Sequence, residues 1–419
     1  MSRIITYPVS DAVTLSSFID SSFKTMRLAV NMLIPVSASR VAQYALLPSL
    51  VSRATRQYPD YTSLSVRLAE LYGASLGSGV QKNGEFQRIS LSVDGIASQF
   101  AFGGEDMFTE LTELLFSVLF DPLKDEQGLF LQESFAQEKR QQLEQKDAEF
   151  SDKMIYAHQR CRELLFEGHA AGIDRLGSRE DIEAVTRQDL TCAWEELLQK
   201  SRFEIFVLGH CEPDIGLLER TFSGLGTRQT LKPVPYVEPS RLCRVSEKHP
   251  VSQSKLVMAY RADAASDERL LFELLSAVLG EPTSSKLFQN VRERQGLCYY
   301  CDSTFSWTDG TLFIESGVET SELNRVEEAV AEQLALLQKG EITEDELRCA
   351  KLYLCNSMRA VEESLYRIEG WYLGRNFDQP GQTPQQAMDT LTAYTAEDLI
   401  EAANRLRPAV VYALKGEEP

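Results

Sequence analysis

With 419 residues the chain is too long for one ordinary hydrophobic core, and two or three domains are expected. Hydrophobic residues make up 43% and charged residues 25% of it, which is typical of a globular protein in water. Acidic residues outnumber basic ones by 62 to 43, and the resulting charge of −19 disfavours nucleic acid or an anionic membrane as a partner.

The sequence also bears on location. No apolar run approaches the roughly 20 residues that a membrane helix needs, and the first residues lack the apolar stretch of a signal peptide. The eight cysteines are scattered along the chain, which favours reduced thiols. We therefore expect a cytoplasmic protein.

The first half of the chain mixes helical periodicity with short apolar runs typical of strands. In chain order we predict a strand at 26–35, helices at 42–55 and 63–72, a hairpin at 74–93, helices at 107–120, 125–166 and 179–198, and a strand at 203–209.

Four prolines then crowd into residues 233–250, and we interpret 225–254 as a linker. It would separate an N-terminal domain, 1–224, from a C-terminal domain, 255–419. For the latter we predict a strand at 255–259, a helix at 268–279, a short helix from 284, strands at 297–305 and 312–318, and helices at 322–337 and 344–358.

The second half repeats the first. Thr186–Leu190 (TRQDL) recurs as Thr395–Leu399 (TAEDL), and both begin a helix with a threonine cap and an acid three residues later. Gly73 corresponds to Gly296, at an offset of 223 residues. The sequence thus predicts two tandem α+β domains of about 200 residues each.

Arg292 and Tyr299 form the candidate site. Ser284 or Ser285 can cap the helix that carries Arg292, Gly296 ends it, and Tyr299 begins the next strand. A guanidinium beside a phenol can grip a peptide carbonyl and stabilise charge that develops on it. At the same offset the first copy has Ala69 and Leu76, so the pair exists in one half. A surface arginine and a core tyrosine without function are the alternative.

Residues Ser284–Tyr300, SSKLFQNVRERQGLCYY, resemble the C-terminal half of the M16 zinc peptidases, the family of insulinase, pitrilysin and mitochondrial processing peptidase. Phe120–Leu123, Gly168–Ser178 and Leu208–His210 are similar to the family's N-terminal half. The resemblance implies a LuxS/MPP-like metallohydrolase fold, in which two tandem α+β domains form half of a clamshell.

The zinc motif of that family, His-x-x-Glu-His, is missing. Its helix reads ALLPSLVS at 45–52, and the four histidines, His158, His169, His210 and His249, include no pair at His-x-x-x-His spacing. Glu138 lies near the family's third-ligand position, but one carboxylate cannot hold a catalytic zinc ion, which takes about three protein ligands. We therefore expect no metal and no cofactor in this chain.

The family includes heterodimers in which one subunit carries zinc and the other carries the Arg/Tyr pair. The resemblance implies that this chain is the second kind, with Arg292 and Tyr299 binding a peptide or an unfolded polypeptide at the zinc of a sister subunit. One bacterial subgroup of such pairs is named for elongation factor P modification. Whether the chain forms a homodimer without its partner is left open.

Two other interpretations compete. The chain could be a catalytically inert accessory protein that binds peptides without supporting cleavage. Cys298 and Cys301 also form a Cys-x-x-Cys motif, but residues three apart on a regular strand point to opposite faces, so a redox couple needs a different local structure.

Overall fold

The structure is a computed structural model and describes residues 4–265 and 267–416. The helices of these residues are α1 (Val41–Val51), α2 (Tyr61–Glu70), α3 (Met107–Phe120), α4 (Gln132–Glu149), α5 (Lys153–Leu165), α6 (Arg179–Ala184), α7 (Arg187–Lys200), α8 (Ile215–Phe222), α9 (Arg269–Gly280), α10 (Leu323–Gln338), α11 (Glu344–Arg359), α12 (Leu365–Arg375), α13 (Pro384–Ala393) and α14 (Ala396–Asn404). A π-helix spans Leu287–Arg294. The strands are β1 (Ile5–Ser10), β2 (Val13–Ile19), β3 (Thr25–Pro35), β4 (Ser75–Asn83), β5 (Phe86–Ile96), β6 (Arg202–Gly209), β7 (Cys243–Lys248), β8 (Ser254–Ala262), β9 (Cys298–Ser306), β10 (Thr311–Val318) and β11 (Leu406–Lys415).

Two sheets carry the fold, and their strand orders confirm the internal repeat. The first sheet has the order β1-β2-β6-β3-β5-β4 and the second β7-β11-β8-β10-β9. Apart from the added β1, the two orders superpose strand for strand, with the β2–β6 and β7–β11 pairs parallel and the other pairs antiparallel. The predicted class, two tandem homologous α+β domains, is therefore confirmed.

The sequence repeat that revealed this arrangement is a pair of helix caps. Thr186 Oγ1 accepts the Asp189 N–H at 3.2 Å, and the Asp189 carboxylate accepts the Thr186 N–H at 3.1 Å. Thr395 and Asp398 repeat this reciprocal box. Each box starts the helix before a central strand, α7 before β6 and α14 before β11, so it fixes the same connection in both sheets.

The core of the first sheet follows the period-two pattern of β3. Met26, Leu28, Val30 and Met32 alternate along the strand, are at most 1% exposed and pack in one cluster with apolar residues of α1, α3 and α7. These side chains place one face of the sheet against helices, and β3 itself lies where the sequence predicted a strand.

In the second sheet, α9 packs unusually close to β9. A Cβ atom on Gly280 would lie 2.5 Å from the Ser303 backbone nitrogen, so only glycine allows this approach. The Ser303 hydroxyl donates to the Ser276 carbonyl at 2.9 Å. These contacts fix the end of α9 against β9, and with it the start of the segment that leads to the π-helix.

Some predicted elements differ from the structure. The predicted helix 125–166 is two helices, because Asp152 interrupts it and caps α5, its carboxylate accepting the N–H groups of Met154 and Ile155. Strands β1 and β2 were not predicted. The helix after 284 is a π-helix, and neither Ser284 nor Ser285 caps it with its side chain.

The chain divides into two compact units that are not continuous in sequence. Among the described residues, one unit contains 4–147, 173–231 and 368–373, and the other contains 148–172, 232–367 and 374–416. Helix α5 thus belongs to the second unit, where its Ala157 and Cys161 pack with Val257 and Phe313. Strand β7, inside the segment interpreted as a linker, pairs with β11.

Candidate functional site

The π-helix is the element that carries Arg292. Its Leu287 and Val291 are fully buried, and Lys286, one residue before it, forms a buried ion pair with Glu346 of α11 at 2.9 Å. A π-helix is wider than an α-helix, is rare beyond one turn and is found frequently at functional sites. Arg292 therefore lies on a segment of uncommon backbone geometry, which is anchored by two buried apolar side chains and one ion pair.

Arg292 lies at the surface of this helix. Its side chain is 39% exposed, and its guanidinium stacks 4.6 Å from the centre of the Phe288 ring. The ion pair with Glu293 is long, at 3.8 Å. Stacking on an aromatic face orients a guanidinium while its edge stays available for hydrogen bonds. Arg292 is thus presented as an oriented cation.

Tyr299 lies on a β-bulge. In the β9–β10 register Gly317 pairs with Tyr300 and Val318 pairs with Cys298, which leaves Tyr299 without a partner residue. Bulges redirect side chains and are common beside functional sites. Tyr299 is 59% exposed, and its hydroxyl donates a 2.8 Å hydrogen bond to Glu319 Oε1. That hydrogen bond raises the pKa of Tyr299 above its ordinary value.

The sequence reasoning missed this bulge, although one signal was present. Gly317 lies inside β10 opposite Tyr300, and a Cβ atom there would lie 2.4 Å from the Tyr300 ring. A glycine inside a strand often marks a bulge or a close approach of two chains.

Arg292 and Tyr299 thus lie on the two sides of Gly296, whose φ of 61° only glycine adopts readily. Arg292 also acts electrostatically on β9. Cys301 has the largest effect in lowering the pKa of Cys298, and the charge of Arg292 adds to it; the same charge opposes the burial that raises the pKa of Asp302. The two side chains contact different residues: the Arg292 guanidinium stacks on the Phe288 ring, and the Tyr299 hydroxyl donates to Glu319.

The corresponding part of the first sheet lacks both special features. Helix α2 is an ordinary α-helix with a capping box at Asp60, and β4 pairs with β5 without a register shift from Ser75 to Asn83. Gly73 has a φ of 77°, as its counterpart Gly296 would suggest. The two copies therefore share their scaffold and differ where Arg292 and Tyr299 stand.

The residues at the family's zinc position do not fit a zinc ion. Helix α1 buries Leu46, Leu47 and Leu50 in the core, each at most 4% exposed. The Glu138 carboxylate, 6% exposed, accepts a 2.6 Å hydrogen bond from the Arg53 guanidinium, whose positive charge balances it. Within 4–265 and 267–416, no three His, Cys, Asp or Glu side chains are grouped to hold a metal.

The four histidines are dispersed. His158 pairs with Glu315, and the Nδ1 atom of His210 is 2.9 Å from the Gln99 amide nitrogen. His169 accepts the Ala171 N–H, and His249 stacks edge-on with Phe150.

Within the residues that the structure describes, no helix is long and apolar enough to cross a membrane.

Comparison with known proteins agrees with this geometry. A family model described as "Peptidase M16 inactive domain" matches residues 184–354, which include Arg292 and Tyr299. The chain is 25% identical over 404 residues to the "Probable inactive metalloprotease YmfF" of Bacillus subtilis (strain 168), with 94% of each chain covered. The resemblance to the M16 peptidase family is thereby confirmed.

Solved structures share the fold of this chain. A conserved protein from Enterococcus faecalis V583 has a TM-score of 0.90 at 25% identity, with 99% of both chains covered. A structure described as a peptidase M16 inactive domain from Pseudomonas fluorescens has a TM-score of 0.80 at 17% identity, covering 99% of this chain and 100% of that one. The family model and the relative from Bacillus subtilis together support that the chain is a homologue of an inactive M16-like metalloprotease.

Proposed function

We propose that the chain is the non-catalytic, substrate-binding subunit of a heterodimeric M16 zinc peptidase. In this proposal Arg292 and Tyr299 bind a peptide or an unfolded polypeptide at the zinc site of a sister subunit. The chain itself holds no zinc, because apolar residues fill the positions of the zinc motif in α1 and Arg53 neutralises Glu138.

The contrast between the two copies is the observation that carries the proposal. One scaffold occurs twice, yet the helix and strand that carry Arg292 and Tyr299 have a π-helix and a bulge, whereas the corresponding α2 and β4 of the first copy are regular. Irregular backbone costs free energy, and proteins retain it mainly where a side chain must be presented in a particular way. Structural need alone would favour the regular backbone that the first copy uses.

The two side chains suit different stages of peptide binding. The planar guanidinium of Arg292 can donate two hydrogen bonds to a backbone carbonyl or a terminal carboxylate, and it does so before reaction begins. The Tyr299 hydroxyl donates to Glu319 in the free chain. An oxyanion that forms during peptide cleavage is a competing acceptor for this proton, so Tyr299 acts mainly in the transition state.

Reconstitution tests the proposal. The chain is mixed with the zinc-bearing M16 chain of the same organism, and cleavage of a quenched fluorescent peptide library is measured. Activity should appear only in the mixture. Tyr299→Phe should lower kcat by about a hundredfold or more, since losing one oxyanion donor costs about 2.7–4 kcal/mol. Arg292→Ala should raise KM as well.

Arg294→Ala is the matched control for Arg292. Arg294 lies two residues away on the same π-helix, is exposed and donates to the Asn290 side chain. Tyr61→Phe, at a tyrosine that is 67% exposed on α2, is the control for Tyr299. Full activity of the Arg292 and Tyr299 variants in an intact complex would show that the pair is scaffold. Peptide binding without cleavage in every mixture would instead favour an inert accessory protein.

A further inference from the structure

The bulge also changes the relation between Cys298 and Cys301. On a regular strand residues three apart face opposite ways, but here Cys298 pairs with Val318 and Cys301 pairs with Ser316. Val318 and Ser316 are two residues apart on β10, so they share one face and their Cα atoms are about 6.8 Å apart. The two cysteines therefore share that face, at the upper end of the roughly 4.4–6.8 Å that a disulfide spans.

Side-chain contacts agree with the register. The two thiols hydrogen-bond to each other, and the Ser316 hydroxyl interacts with both. Cys301 is 1% exposed, whereas Cys298 is half-buried and lies within reach of the Arg292 charge. One thiol of the pair is thus partly accessible, and the other is buried beside it on the same face of the strand.

The two thiols also differ in acidity. The hydrogen bond from Cys301, with help from Ser316 and Arg292, lowers the pKa of Cys298 to about 7. The same hydrogen bond and burial raise the pKa of Cys301. With this lowered pKa, Cys298 is more readily a thiolate at neutral pH than an ordinary cysteine, and the thiolate is the form that attacks. An accessible thiolate beside a buried thiol is the arrangement of an attacking and a resolving cysteine.

We propose that Cys298 and Cys301 form a reversible dithiol–disulfide couple that is oxidised by small-molecule disulfides such as oxidised glutathione. The Cys298 thiolate attacks one sulfur of the small disulfide, forms a mixed disulfide and releases one thiolate. Cys301 then gives its proton to a departing thiolate and attacks Cys298 Sγ, which releases the second small thiol. Two protein thiols and one small disulfide become one protein disulfide and two small thiols.

Oxidation would act on the Arg292 site directly. It replaces the thiolate that faces Arg292 with a neutral sulfur, and it ties the strand across the bulge that presents Tyr299. The couple is independent of the proposed peptidase role, because its formation is measured on the isolated chain.

The experiment treats the reduced chain at pH 7 with buffers of increasing oxidised-to-reduced glutathione ratio, blocks the remaining thiols in acid and analyses tryptic peptides by mass spectrometry. Peptide 295–325 contains Cys298 and Cys301 and no other cysteine. It should lose the mass of two hydrogen atoms and should regain them with reduced glutathione. Cys301→Ser should stop at a glutathione adduct on Cys298, and Cys298→Ser should leave Cys301 unmodified.

Two comparisons make the test specific. Arg292→Ala should slow the reaction of Cys298 about two- to fivefold by lowering its thiolate fraction, whereas Arg294→Ala should not. Cys349, which is also partly buried, serves as an internal reference and should react more slowly than Cys298. A stable glutathione adduct in the unsubstituted chain, no modification of peptide 295–325, or equal rates at Cys298 and Cys349 would each overturn the proposal.

Discussion

The ion pair between Lys286 and Glu346 should hold the π-helix in place. The Lys286 side chain is 6% and the Glu346 side chain 18% exposed, and the lysine Nζ atom lies 2.9 and 3.1 Å from the two carboxylate oxygens. Lys286→Met leaves the Glu346 carboxylate without its cation. Removing one partner of a buried pair costs about 3–5 kcal/mol. Glu346 keeps hydrogen bonds from Thr343 at 2.8 and 3.0 Å, so we expect the lower end, about 3 kcal/mol.

A double-mutant cycle isolates this interaction. Glu346→Gln strands the ammonium of Lys286 and should cost a similar amount. The double variant Lys286→Met/Glu346→Gln leaves no unpaired charge, so it should be no less stable than either single variant. The magnitude of the coupling free energy is then at least about 3 kcal/mol, measured by urea denaturation.

Local hydrogen exchange gives a second measure, because peptides covering 286–296 should exchange faster in the single variants. Arg348→Met is the control, since Arg348 pairs with Asp345 at the surface of α11 with both side chains at least 64% exposed. It should change stability by less than about 1 kcal/mol. If the two single losses simply add in the double variant, Lys286 and Glu346 act independently and the pair does not anchor the π-helix.

Three further predictions concern the metal, the repeat and pH. Elemental analysis of the purified chain should find far less than one zinc per chain; one tightly bound zinc lost on mutating a histidine would contradict the description of α1. Gly73→Ala and Gly296→Ala should each lower the free energy of unfolding by about 1–2 kcal/mol, because both glycines have a positive φ although a Cβ atom at either would meet no neighbour within 4 Å. Gly370→Ala within α12 is the control and should not destabilise the protein. Equal effects at all three glycines would refute this reason. Burial raises the pKa of Glu281 to about 7, so the folded state holds this proton more tightly than the unfolded state and stability should fall as pH rises from about 5 to 7. In denaturation experiments, the stability of the Glu281→Gln variant relative to the unsubstituted protein should therefore increase as the pH rises from 5 to 8. If the difference in unfolding free energy between the two proteins is the same at every pH, Glu281 does not titrate in this range.

The sequence by itself determined the architecture of this protein. The glycines at 73 and 296 and the threonine caps at Thr186 and Thr395 are local signals, because each depends on residues close in the chain. Two copies of such signals, at offsets of 209 residues for the caps and 223 for the glycines, were enough to predict two α+β domains, and the motif around Arg292 was enough to recognise the resemblance to the family.

Only the tertiary structure decided how the candidate site is built. The register of β9 against β10 is set by pairing between separate strands, and it alone shows that Tyr299 is the extra residue and that Cys298 and Cys301 share a face. The π-helix is likewise preceded by a contact distant in sequence, the ion pair of Lys286 with Glu346, 60 residues away. Local periodicity cannot specify a bulge or a π-turn, because both arise where contacts distant in sequence outweigh the regular backbone preference.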